Sequence, residues 1–113
     1  MTARNFLKFI SGFYPGWDNS RAEVLLKELG VEDDKLVHHL SNESKLKLRL
    51  VAALSHRPLV LFLDEPMRDQ EPTVWLEIHA FLKQISRDEK VTIVISSDVS
   101  DSLDRLADTV LMV

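Results

Sequence analysis

Pro58-Leu59-Val60-Leu61-Phe62-Leu63-Asp64-Glu65-Pro66 is the stretch on which the fold of this chain turns. Leu59 to Leu63 are all apolar, follow a proline, and give way to two carboxylates and a second proline. A run this short, without alternation, reads as a strand buried on both faces, as in a parallel sheet. Asp64-Glu65-Pro66 ends it with turn-prone residues. Downstream, Pro72 can occupy the first turn of a helix that carries Trp75, Ile78, Leu82 and Ile85 inward. Val91 to Ile95 is a second, β-branched run. A short helix is expected from about Ser100, with Leu103, Leu106 and Ala107 inside, and Thr109 to Val113 reads as a third strand.

Upstream of Pro58 the periodicity is helical. Phe6, Leu7, Ile10 and Phe13 recur at helical spacing and are followed by the turn signal Tyr14-Pro15-Gly16. Ser20 and Glu23 have the spacing of a capping box for a helix with Ala22, Leu25, Leu26 and Leu29 on one face, and Gly30 can supply its left-handed stop. Leu46, Leu50, Ala53 and Leu54 form a further stripe, with Ser41 or Asn42 as N-cap and Pro58 beyond its end. Three helices followed by strand, helix, strand, helix, strand is an α/β pattern with a helical prefix. There is no internal repeat, low-complexity segment or linker-like stretch, so the chain reads as one unit.

Composition narrows the function classes. The chain has 113 residues, is 45% hydrophobic and 28% charged, and has a net charge of -4, values of an ordinary globular domain and not of a nucleic-acid surface. It contains no cysteine, so neither a disulfide framework nor a thiolate metal site is available, which fits a reducing compartment. No run reaches transmembrane length, and Met1 to Ile10 lacks the features of a signal peptide. A cytoplasmic location is the expectation.

The order Leu40-Ser41, a basic amphipathic helix, Pro58, an apolar strand and Asp64-Glu65-Pro66 resembles the ABC ATPase family, essentially from end to end. That family carries L-S-G-G-Q, a helix, an apolar strand, D-E-P, a D-loop of the type S-G-L-D-P, and later a strand ending near S-T-H. Leu40, Ser41, Lys45, Lys47, Ala53, Leu54, Pro58, Asp64, Glu65, Pro66 and Pro72 fall at corresponding positions without a gap. Tyr14-Pro15-Gly16-Trp17-Asp18 is similar to the Y-P-x-W-D element of the helical subdomain of bacterial ABC exporters. The resemblance implies a partial P-loop NTPase-like domain. Residues 1–57 would be a helical subdomain with the signature helix; residues 58–113 would hold the Walker B strand and the C-terminal core, a three-stranded, mainly parallel sheet with helices.

By the same resemblance, Asp64 would hold Mg2+ through water and Glu65 would polarise the attacking water. Ser41, Asn42 and Asp98 would stand at nucleotide-facing positions. The departures are specific. The phosphate loop G-x-x-x-x-G-K-[ST] is nowhere in the chain; Asn42 and Glu43 replace the signature glycines, Ser44 the glutamine, Glu71 the D-loop aspartate and Asp98 the switch histidine. The implied function is a partial or degenerate ATP-binding subunit of an ABC-type transporter, inactive as an ATPase in isolation. No cofactor is expected for the isolated chain, although ATP and Mg2+ serve the intact family. Its partners would be a second copy or another ATPase subunit, and a transporter membrane subunit at the inner face of the membrane. Two other readings stand beside it: a non-catalytic interaction or dimerisation module, and a carboxylate-metal hydrolase using Asp64 and Glu65 alone.

Each site residue also has a plainer role. Asp64 and Glu65 can simply end a strand, although the carboxyl end of a parallel strand is where α/β proteins place ligands. Ser41 can be an ordinary N-cap. Glu43 would repel a phosphate about 5 Å away by roughly 3 kcal/mol at an effective dielectric of about 20. Asp98, if ionised, has only acceptors and cannot donate as a histidine does. His38 and His39 are expected to be solvated, Lys45, Lys47 and Arg49 to form a solvated helix face, and Trp17 and Trp75 to pack. In the family the phosphate-loop strand separates the strands represented by Val91 to Ile95 and Thr109 to Val113. Without it, either the last strand moves beside Val91 to Ile95, or a strand from a second copy fills the slot or caps an exposed edge; self-association is the favoured outcome, because even a collapsed three-stranded sheet keeps apolar edges.

Overall fold

The computed structural model describes residues 1–96 and the backbone of residues 110–112, in two units, Met1–Arg57 and Pro58–Val113. The first contains α1 (Ala3–Ser11), α2 (Asn19–Leu29), a short 3-10 turn (Val37–His39) and α3 (Asn42–Ser55). Thr2 caps α1 through its hydroxyl, which accepts from the Asn5 N–H at 3.1 Å. Gly30 ends α2 at φ 69°, the left-handed stop that its sequence position suggests. Asp18, rather than the expected Ser20, caps the start of α2. The reason is tertiary: the Asp18 N–H donates to the Ser55 carbonyl at 2.8 Å, and its carboxylate accepts from both the Arg21 N–H and Arg57. These bonds fix the chain at Asp18, so Ser20 falls inside the helix.

Leu25, Leu50 and Val51 are fully buried at the centre of this unit, where α2 and α1 pack on α3. Because α3 meets both helices, its buried arc is wider than the stripe read from sequence and takes in Leu48, Val51 and even Lys47. The start of the chain is tied down by main-chain bonds. Thr2 bridges to Leu36, the Ala3 and Arg4 amides donate to the Lys35 and Asp33 carbonyls, and the Val37 amide donates to the Met1 carbonyl, each at 2.9 Å.

The second unit contains β1 (Val60–Asp64), α4 (Pro72–Glu89), β2 (Thr92–Ser96) and β3 (Val110–Met112). The sheet is parallel in the order β1-β2-β3, with Phe62 opposite Val94 and Val94 opposite Leu111. β3 therefore lies directly beside β2, the first of the two outcomes expected for the missing strand. Pairing this way satisfies backbone groups that an empty slot would leave open. The helix expected from Ser100 lies outside the described residues. Pro72 sits in the first turn of α4, which buries Trp75, Ile78, Leu82 and Ile85 as its spacing suggests and ends at Lys90 in the left-handed region, φ 56°.

One expectation fails. β1 is not buried on both faces: Leu61 is buried, but Leu59 is 83% and Phe62 72% exposed. Leu61 and its register partner Ile93 are buried, as is Ile95, whereas on the other face Val60 and Phe62 are exposed although Val94, opposite Phe62, is buried. A continuous apolar run reports what a strand can bury, and the side chains of β1 are buried in part only.

Candidate functional site

At the carboxyl end of β1, Asp64 is exposed and lies in register with Ser96 of β2. The ladder continues one residue past the strand, because the Glu65 amide donates to the Ser96 carbonyl at 2.6 Å. Glu65 then turns the chain at φ 43°, a left-handed conformation that costs a non-glycine residue about 1–2 kcal/mol. Tight turning continues through Arg68 N–H to Glu65 carbonyl, Gln70 N–H to Met67 carbonyl, and Asp69 at φ 64°. The Glu65 carboxylate pairs with the guanidinium of Arg68, three residues on. With Arg68 69% exposed, such a pair contributes about 1 kcal/mol or less, so it orients Glu65 without locking it. Sequence reading passed over Arg68; its signal was the i, i+3 spacing of opposite charges.

Beside Asp64 is a pocket of about 190 Å³ lined by Phe62, Leu63, Asp64, Val94 and Ser96. That is below the roughly 300–1,000 Å³ of small-molecule sites, so a nucleotide does not fit within it. Among the described residues no group of three or more His, Cys, Asp or Glu could hold a metal ion. Asp64 can thus offer Mg2+ one carboxylate, as in sites completed by substrate phosphates, and among the described residues the hydrolase reading has no third ligand.

The other candidate residues belong to the first unit. Ser41 caps α3, its hydroxyl accepting from the Ser44 N–H at 3.1 Å, and Asn42 opens the helix on the surface. Glu43 accepts from Lys47 Nζ at 2.9 Å, and the Lys47 side chain is only 10% exposed. Two expectations change. Lys47 is not part of a solvated face, because the wide buried arc of α3 encloses it; and Glu43 is compensated by an adjacent ammonium, so the repulsion argued for a bare carboxylate does not apply in full. The i, i+4 spacing of Glu43 and Lys47 was the available signal. His38 and His39 are exposed, with their rings 4.2 Å apart. Asp98 lies outside the described residues. Ser41 with Asn42, and Asp64 with Glu65, therefore form two separate pairs, one in each unit.

Elsewhere in the first unit, Arg4 joins α1 to two carboxylates, Glu23 at 2.6 Å and Asp33 at 2.6 Å. The hydrogen bond to Arg4 holds the Glu23 carboxyl below its ordinary pKa, and the Arg57 hydrogen bond does the same for Asp18. Burial lowers the Arg21 pKa. Among the described residues no helix is long and apolar enough to cross a membrane.

No family model matches the chain. It is similar to the bacitracin transport ATP-binding protein BcrA of Enterococcus faecalis, 31% identical over 97% of this chain and 36% of the relative. The ABC transporter ATP-binding protein NatA of Bacillus subtilis is 29% identical over 100% of this chain and 48% of its own length. The chain thus spans less than half the length of either relative. Among solved structures, cbiO1 of Clostridium perfringens, part of the ABC transporter complex cbiONQ, matches 82% of this chain and 38% of its own, with a TM-score of 0.71 and 30% identity. A bacterial ABC transporter cassette solved as a dimer matches 100% of this chain and 52% of its own, with a TM-score of 0.77; at 17% identity that likeness shows the fold alone. On sequence and fold together, the chain belongs to the ATP-binding subunits of ABC transporters and corresponds to part of their nucleotide-binding domain.

Proposed function

We propose that this chain is a partial, degenerate ATP-binding subunit of an ABC-type transporter and that, in isolation, it does not hydrolyse ATP. The observation that carries the reading is Asp64-Glu65 at the carboxyl end of a parallel strand, in a chain of this family whose 113 residues include no phosphate loop. Phosphoryl transfer depends on positioning the phosphates and neutralising their charge. Asp64 supplies one metal ligand and no cradle, so no step of ATP hydrolysis is assigned to the chain alone. Its role is then to associate, with a second copy or another ATPase chain and with a transporter membrane subunit, at the inner face of the membrane. Support for association comes from the likeness to cbiO1, which is part of a transporter complex. Titration calorimetry of the isolated chain with Mg-ATP tests the reading. Binding weaker than about 1 mM is expected, and binding in the low micromolar range, or phosphate release above background, would overturn it.

A further inference from the structure

α1 and α2 each pack more closely on α3 than on one another, and between them lies a cleft of about 400 Å³. All of its walls belong to the helical unit. Leu7 from α1 and Ala22 and Leu26 from α2, all buried, form its floor. Its two ends differ in chemistry. At the turn that joins the helices stands Trp17, whose indole Nε1–H donates to Asn19 Oδ1 at 2.8 Å. That bond holds the ring as a fixed aromatic wall and leaves the Asn19 NH2 group as a donor. One turn along α2 from Asn19, Glu23 accepts from Arg4 of α1 at 2.6 Å. Arg4 is fully committed, since its Nε–H donates to Asp33, also at 2.6 Å. Lys8 lies one turn after Arg4 on α1 and lines the same cleft, and among the described residues it has no ion-pair partner.

We infer that this cleft is a binding site for a small aromatic carboxylate. Its volume falls within the roughly 300–1,000 Å³ of small-molecule sites, unlike the pocket of about 190 Å³ beside Asp64. An apolar floor beside a fixed indole selects a flat apolar body. Charge selects the polar group. Glu23 is neutralised by Arg4, Asp33 is not one of the walls, and the Lys8 ammonium is left to pair with an anion. A carboxylate accepts a charge-assisted hydrogen bond from such a donor, which a neutral or cationic analogue of the same ring cannot do. None of the cleft residues is a nucleotide-facing position, so the inference stands apart from the ATP reading.

Titration of the isotope-labelled chain with indole-3-acetate, followed by NMR, tests it. The indole N–H of Trp17 is the reporter, and that of Trp75, in the other unit, is the internal control. Saturable shifts at Trp17 with a Kd of about 1 mM are expected for a ligand of this size, with none at Trp75. Tryptophol, the neutral analogue, should bind about tenfold more weakly, and tryptamine no better than tryptophol. Lys8→Ala, at an exposed helix position, should weaken indole-3-acetate about tenfold and leave tryptophol unchanged, whereas Lys8→Arg should retain the affinity. Trp17→Leu should weaken both ligands, read at the Ala22 amide, with the dispersion of the other amide signals confirming the fold. Equal binding of the three probes overturns the inference. So does a Lys8→Ala effect that extends equally to tryptophol, or a shift that fails to saturate or appears as strongly at Trp75.

Discussion

Met1–Arg57 and Pro58–Val113 dispose of their polar and apolar groups in opposite ways. The helical unit closes its core with its own side chains so fully that a lysine, Lys47, and a serine, Ser55, are buried with the leucines. Both are accommodated, Lys47 by Glu43 and Ser55 by donating its hydroxyl to the Val51 carbonyl at 2.6 Å. In the sheet unit the described buried residues include no charged group, and Phe62, one of its largest apolar side chains, is left in water. A helix can wrap its apolar arc with two neighbours, whereas each strand of a sheet turns side chains to two faces, and both need a covering layer to be buried. In β1 the described side chains are divided between the two outcomes, Leu61 buried and Phe62 exposed.

The largest expected effects come from its two cores. Leu50 in α3 and Leu82 in α4 are both fully buried, and Leu→Ala at either should cost about 2–5 kcal/mol. Trp17 reports on the first unit and Trp75 on the second. If each unit owns its core, Leu50→Ala should shift the denaturant transition of a Trp75→Phe variant, and Leu82→Ala that of a Trp17→Phe variant. Equal shifts by both probes for either substitution would show one cooperative core instead of two.

Next in size is the charge within the helical unit. Glu43→Gly removes the partner of Lys47 and a carboxylate near the α3 N-terminus, and places glycine in the helix; a loss of roughly 1–2 kcal/mol is expected in urea unfolding. No loss would mean that the Glu43–Lys47 pair contributes nothing. The units also end their helices differently, Gly30 at φ 69° against Lys90 at φ 56°. Gly30→Ala should therefore destabilise by about 1 kcal/mol, whereas Lys90→Gly should stabilise by about 0.5–1 kcal/mol, opposite signs from one backbone conformation. Thermal unfolding of the two variants decides it.

The smallest effect is electrostatic and confined to the first unit. Asp18 and Glu23 are held below their ordinary carboxyl values of 3.8 and 4.5 by Arg57 and Arg4. A carboxyl with a lowered folded pKa contributes stability above its ordinary value and loses it as pH falls through the folded one. Stability of the helical unit should therefore decline below about pH 4.5, and Glu23→Gln should flatten that decline. Because Glu23 is exposed and Asp18 partly so, 1 M salt should shrink the difference. A decline unchanged by Glu23→Gln would assign it to other groups.

Much of this was legible because it is local. The α4 face, the Gly30 stop, the Ser41 cap and the three strands follow from spacing and turn chemistry within a few residues. The Asp18 cap was not, since it depends on Ser55 and Arg57, over 35 residues away in sequence. Nor was the exposure of Phe62, because an apolar run is the same whether or not a second layer is present. At the candidate site, sequence could place Asp64 and Glu65 after a strand but not the strained turn at Glu65 or its contact with Arg68. Those depend on the backbone path after Pro66.

The bridge from Thr2 to Leu36 bears on the order of folding. It closes a ring of over thirty residues, an entropy cost of roughly 3 kcal/mol that grows only with the logarithm of ring size. The Gly30 stop of α2 and the Ser41 cap of α3 form within a few residues of chain and meet no such cost, and only twelve residues separate the two helices. A nucleus of α2 and α3 can therefore assemble first, with α1 recruited afterwards when the amides of Ala3, Arg4 and Val37 find their carbonyls. The exposed rings of Phe9 and Phe13 at the end of α1 are then brought to their place last, on a pair of helices already folded.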